Sequence, residues 1–209
     1  MGATPSQAST RRLIATLIVC AIASPAVAMQ SPLAVVVAEA MQSDVGAPAP
    51  VAVAAATIEA IDALKMRRLA VPVLGVARAD LQDTYDDRRG VKSHEAIDIP
   101  APRGTPVIAV DDGRIVKLFR SAAGGLTVYQ FDRDQAFSYY YAHLDRYADG
   151  VREGMLVKRG ELIGYVGSTG NAAADAPHLH FAIFKLGPDL KWWKGTALNP
   201  YPILARPPC

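Results

Sequence analysis

From about Val71 onward the chain is written in short apolar runs, rich in β-branched and aromatic residues, that glycine turns interrupt at close intervals. The runs are Pro106 to Val110, Arg114 to Phe119, Leu126 to Phe131, Phe137 to Leu144, Glu161 to Val166 and His178 to Leu186. Asp111-Asp112-Gly113 and Ala123-Gly124-Gly125 separate the early ones. This rhythm predicts an all-β fold, an antiparallel β-sandwich or partly open barrel. No internal repeat has a clear period. With 51% hydrophobic and 20% charged residues, the composition is that of a globular protein with one core domain.

The N-terminal third reads differently. Residues 1–28 carry Arg11-Arg12, an apolar run from Leu13 to Ala23, and Ser24-Pro25-Ala26-Val27-Ala28. Positive start, short apolar stretch and small-x-small site are the parts of a signal peptide. The apolar run is short for a membrane span, which takes ~20 residues, so cleavage after Ala28 is expected, with an uncleaved anchor as the alternative. Cys20 follows Val19, a poor context for lipidation. Residues 29–56, dominated by Ala, Val and Pro, read as a spacer. Residues 57–70 read as a short helical lead-in: Ile58, Ile61, Leu64 and Leu69 lie near helical spacing, with Thr57 as N-cap and Pro72 beyond the end. Residues 71–209 form the β domain.

Charge and cysteine content narrow the function classes. The formal charge is +2, and removing residues 1–28 takes away two arginines and no acid, which leaves zero. No bulk charge then draws the mature protein to nucleic acid or to anionic lipid. Cys209 would be the sole remaining cysteine, so neither an internal disulfide nor a sulfur-based metal site is available.

All four histidines fall in three motifs: His94-Glu95-Ala96-Ile97-Asp98, Tyr140-Tyr141-Ala142-His143 and His178-Leu179-His180. Imidazole and carboxylate are the usual non-sulfur ligands of zinc, and a catalytic site needs three of them with a fourth position open. Two histidines would then remain for acid–base work. In a strand, His178 and His180 share a face with α-carbons ~7 Å apart, and Leu179, Phe181 and Ile183 take the other. His94 and Asp98 would stand ~13 Å apart in an extended strand, too far for one ion. His94 is therefore expected in a loop and Asp98 on a strand. Glu95 is a weaker candidate base, more simply a solvated loop acid. Strand alternation puts Tyr139 and Tyr141 on the face of His143, bordering the groove, with Tyr140 opposite. Trp192 and Trp193 suit either a wall for an extended ligand or partial core.

In these residues, from about Val71 to Leu204, the chain resembles the LytM-type, or lysostaphin-type, peptidoglycan metallopeptidases. The resemblance is carried by His94 to Ile99, Ala101-Pro102-Arg103-Gly104-Thr105-Pro106-Val107, Asp112-Gly113 and Tyr141-Ala142-His143-Leu144. It continues through Gly160-Glu161-Leu162-Ile163-Gly164, Gly167-Ser168-Thr169-Gly170 and Pro177-His178-Leu179-His180-Phe181. It implies that His94, Asp98 and His180 bind one zinc ion and that His143 and His178 are the unliganded catalytic pair. It further implies a site in a groove on one sheet that hydrolyses stem or cross-link peptides of the bacterial cell wall. Three positions depart from the family's habit: Ala96 for Gly, Ala182 for Glu, and the loop Asn171 to Pro177. The leader agrees with an exported, periplasmic enzyme. The alternative the resemblance leaves open is a non-hydrolytic regulator that activates a separate cell-wall amidase.

Overall fold

Alanine is the best helix former, and proline fits the first turn of a helix, where no backbone N–H is needed. Residues Pro50–Met66 accordingly form helix α1. The helix starts inside the segment expected to be a spacer, and Thr57 lies within it rather than capping it, because an alanine-rich composition is helical as readily as it is loose. The structure, a computed structural model, describes residues 50–90 and 92–205. The expected leader, the first part of the spacer and Cys209 lie outside the described residues. Ala60 and Leu64 of α1 are buried in the core, one turn apart.

A hairpin follows, made of β1 (Arg88–Arg89) and β2 (Lys92–Ser93). Then come β3 (Ile97–Pro100), β4 (Pro106–Ile108), β5 (Gly113–Ser121), β6 (Gly125–Asp132) and β7 (Phe137–Tyr147). The last strands are β8 (Leu156–Val157), β9 (Leu162–Val166), β10 (His178–Leu186) and β11 (Gly195–Leu198), with a single turn of helix α2 (Tyr201–Leu204) after them. The nine strands from β3 on make one sheet with the path β11-β10-β7-β6-β5-β8. Strand β3 joins at β10, β9 at β7 and β4 at β9. All pairings are antiparallel, as the all-β expectation requires.

The strand that organises the site is β7. It pairs with β10 from Phe137 to Ala142 and with β9 from Leu144 to Tyr147. The switch happens at His143, whose φ is 60°, and the register against β6 slips between Leu126 and Val128. This is a β-bulge, a device that bends a strand and re-aims a side chain. One face of the central strands is sealed: Leu179, Phe181 and Ile183 pack with Ile97, Ile99, Tyr139, Tyr141 and Val128, all buried. The other face carries the site.

Candidate metal centre

His94 sits in the loop between β2 and β3, and Asp98 sits on β3. The chain turns back between them at Glu95, whose φ is 54°. That bend closes the distance an extended strand would impose, and His94 Nε2 lies 3.1 Å from Asp98 Oδ1. His180 pairs directly with Asp98 across β10 and β3, which puts both side chains on one face. Its Nδ1 is 3.2 Å from the same oxygen and 2.9 Å from His94 Nε2. The candidate ligand atoms of His94, Asp98 and His180 all lie within 4.8 Å of one another, an arrangement that could hold a metal ion.

Neighbouring groups decide which atoms face inward. His94 Nδ1 lies 2.9 Å from the Thr84 carbonyl, so Nδ1–H donates there and the Nε2 lone pair is left for the site. The backbone N–H of Asp98 donates to Thr84 Oγ1 at 3.0 Å, so one threonine orients two members of the cluster. Arg89 donates to Asp98 Oδ2 at 2.7 Å. The carboxylate is thereby divided, one oxygen turned to the imidazoles and the other held by a guanidinium. Burial would raise the Asp98 carboxyl, but the His180 hydrogen bond and the His94, His180 and His178 charges outweigh it and hold it below the usual range.

Two more imidazoles stand beside the cluster. The ring centroids of His143 and His178 are 5.0 Å apart, and those of His143 and His180 are 5.6 Å apart. His143 Nδ1 meets the Thr169 carbonyl at 2.8 Å and His178 Nδ1 meets the Ala176 carbonyl at 2.8 Å. In both rings Nδ1 carries the proton and Nε2 is bare. His178 Nε2 lies 3.7 Å from Asp98 Oδ1. Burial pushes the imidazoles of His94 and His143 below their ordinary value, which favours the neutral ring.

The loop Gly167-Ser168-Thr169-Gly170 holds this pair. The Thr169 carbonyl takes His143, while the Gly167 carbonyl accepts the backbone N–H of His178 at 3.1 Å. Thr169 Oγ1 donates to the Leu144 carbonyl and accepts the Leu126 N–H, which ties the loop across the bulge. Gly170 has a φ of +81°, and a Cβ there would collide with the backbone of Ala123 and Gly125. Only glycine lets the loop lie so close to β6.

His94, Asp98, His143, His178 and His180 line a groove of about 490 Å³, with Tyr140, Arg89 and Asn171 also on its wall. The five expected site residues are therefore all brought together. The tyrosine expectation is corrected. Tyr139 and Tyr141 are fully buried, their hydroxyls spent on Asp111 and Gln130, and Tyr140 faces the groove instead. Simple alternation fails because the bulge at His143 moves that histidine to the Tyr140 face. Glu95 is exposed at the bend and is a solvated loop acid. Thr84, Arg89 and Tyr140 were missed. Thr84 acts through its backbone as much as its side chain, and no sequence pattern marks such a role.

Comparison with known proteins agrees with this arrangement. Residues 92–200, more than half of the 209-residue chain, match Peptidase family M23. The chain is 32% identical over 131 residues to the L-Ala–D-Glu endopeptidase of Bacillus subtilis (strain 168), covering 59% of this chain and 39% of that protein. It is 38% identical over 113 residues to the glycyl-glycine endopeptidase ALE-1 of Staphylococcus capitis, covering 54% of this chain and 29% of that protein. The solved structure of the antimicrobial peptidase lysostaphin from Staphylococcus simulans superposes with a TM-score of 0.53 at 30% identity. That match covers 66% of this chain and 53% of that chain. The chain thus spans less than two-fifths of the length of either of these two relatives. The matched segment holds all four histidines and Asp98, and the chain belongs to peptidase family M23.

Proposed function

We propose that the chain is a zinc-dependent endopeptidase that hydrolyses peptide cross-links of bacterial peptidoglycan. The observation that carries this reading is the pairing of a His94–Asp98–His180 cluster with two further imidazoles, His143 and His178, whose bare Nε2 atoms face the same groove. The relatives named above, endopeptidases of L-Ala–D-Glu and glycyl-glycine bonds, support the substrate class.

The donor set fits zinc. Tetrahedral ligation with bonds of ~2.0–2.1 Å sets ligand atoms about 3.3 Å apart. Here the three edges measure 2.9, 3.1 and 3.2 Å. Three electron-rich atoms at such distances repel one another unless a cation or shared protons lie between them. His94, Asp98 and His180 would hold the ion. When bound, zinc supplies Lewis acidity that polarises a carbonyl and makes a water more acidic.

The chain's own residues do the rest. His143 and His178 move the proton: a neutral Nε2 takes it from the attacking water, and a protonated imidazole returns it to the leaving amine or stabilises the oxyanion. Their tautomers are already set by Thr169 and Ala176, so little reorganisation is needed as charge develops. The guanidinium of Arg89 keeps Asp98 from rotating both oxygens toward the cluster. An exported, periplasmic protein, delivered by a leader over residues 1–28, suits this substrate.

The test is muropeptide chromatography of purified sacculi incubated with the protein, with and without zinc, beside the His143→Ala variant. Cross-linked dimers should fall and monomers rise only with the intact, zinc-loaded protein. An unchanged profile on both directly cross-linked and glycine-bridged walls would overturn the reading in favour of a regulator of a separate amidase.

A further inference from the structure

From Tyr140, on the wall of the groove, a line of aromatic rings leads away from the imidazoles. Tyr140 stands edge-on to His180 with centroids 5.9 Å apart. Tyr129, its cross-strand partner, lies 4.6 Å from it, and Trp192 meets Tyr129 edge-on at 4.7 Å. At Trp192 the line widens, with Phe119 at 5.4 Å and Trp193 at 5.1 Å. Exposure rises along the way: Tyr140 and Tyr129 are half-buried, whereas Phe119 is 41% and Trp193 61% exposed. The enclosed aromatics of these strands, Tyr139 and Tyr141, point to the opposite face, so core packing does not account for this surface. Exposed apolar surface running on from a ligand groove marks a place where something binds.

Charge does not define that ligand. The nearby Lys191 and Lys194 both turn to Asp189, at 3.3 and 3.8 Å. What remains is a cluster of tilted and edge-on rings whose outer members, Phe119 and Trp193, are exposed. A pyranose matches it: one face presents weakly positive C–H groups to the electron-rich ring face, and the hydroxyl rim stays hydrated. The separation also suits a sugar that carries a peptide. Three ring-to-ring steps of 5.9, 4.6 and 4.7 Å part His180 from Trp192, close to the reach of about four extended residues at ~3.3–3.6 Å each.

We propose that Trp192, Trp193 and Phe119 form a saccharide subsite. It holds a sugar ring of the wall's glycan while the attached peptide runs past Tyr129 and Tyr140 to the imidazoles. This inference rests on the peptidoglycan reading. It is tested by comparing two substrates with the zinc-loaded full chain: a cross-linked muropeptide that keeps its sugars, and the same peptide after amidase has removed them. The wild type should prefer the sugar-bearing form. Trp193→Ala should reduce that preference about fivefold, through KM rather than kcat, and Trp193→Phe should restore most of it. No preference in the wild type, or equal slowing of both substrates in the variant, would overturn the saccharide assignment. If the wild type cuts neither substrate, the endopeptidase reading has failed separately. Tryptophan fluorescence titrated with peptide-free glycan oligomers then decides the subsite, supporting it by a saturable change and overturning it by none.

Discussion

The two faces of β10 carry residues that alternate one by one, yet they are held by different physics. Leu179, Phe181 and Ile183 are fully enclosed, and their neighbours are other sheet residues such as Ile97, Ile99 and Tyr141. Their contribution is burial, about 1.5–3 kcal/mol for each large apolar side chain relative to exposure. His178 and His180 on the other face gain little from burial. The rings of His178, His143 and His94 are aimed by single hydrogen bonds to the carbonyls of Ala176, Thr169 and Thr84, which come from loops outside the strand, and His180 meets the Asp98 carboxylate on β3. The core face makes β10 a strand, and the loops make its other face a site. Damage to one should therefore be separable from damage to the other.

The sharpest way to break that contrast is His180→Ala. Zinc binding should be lost along with sacculus hydrolysis, while the folded sheet survives, as read by metal analysis and circular dichroism. A variant that kept stoichiometric zinc at wild-type affinity would remove His180 from the ligand set. His143→Ala should come next, with kcat falling about 10²–10⁴-fold, the usual worth of general acid–base catalysis, and zinc content intact. Loss of metal there would refute its role as a proton carrier. On the opposite face, Phe181→Ala should destabilise the fold by about 3–5 kcal/mol, measured by denaturant midpoint, because the ring leaves a cavity against Tyr141. Zinc affinity of the molecules still folded should stay near wild type. If it fell as steeply as stability, the two faces would be coupled and the contrast wrong.

How much of this was legible in the sequence follows the same division. Strand β10 falls on the apolar run His178 to Leu186, and its inward Leu179, Phe181 and Ile183 follow from period-two alternation. The bend between His94 and Asp98 was legible as a distance argument, since an extended strand could not bring them to one ion. The resemblance, not spacing, assigned ligands and bases among the four histidines. What alternation got wrong was the tyrosine face, because a bulge at a non-glycine residue leaves no mark in the sequence. The start of α1 was missed for another reason: residues 50–56 are mostly alanine and valine, and such a composition suits a helix as readily as a loose spacer. The orienting carbonyls were invisible in principle, since every residue has one.

Thr84 sharpens the comparison from the smaller end, because it lies in neither motif nor strand and yet serves two members of the cluster. Thr84→Val keeps the carbonyl that fixes His94 and removes the Oγ1 that accepts the Asp98 N–H. A partly buried N–H without an acceptor costs about 1–3 kcal/mol, and the strain falls on the backbone that presents the Asp98 carboxylate. Zinc affinity should drop about tenfold, the lower end of what orienting partners are worth, with Thr84→Ser restoring it. Competition against a chelator of known affinity measures this, and a thermal melt of the metal-free protein provides the control. A fall in melting temperature with no change in zinc affinity would mean that the hydrogen bond supports the fold and not the aim of Asp98. A fall in affinity that serine reverses would mean that the loop, rather than the strand that carries Asp98, sets the geometry of the metal site.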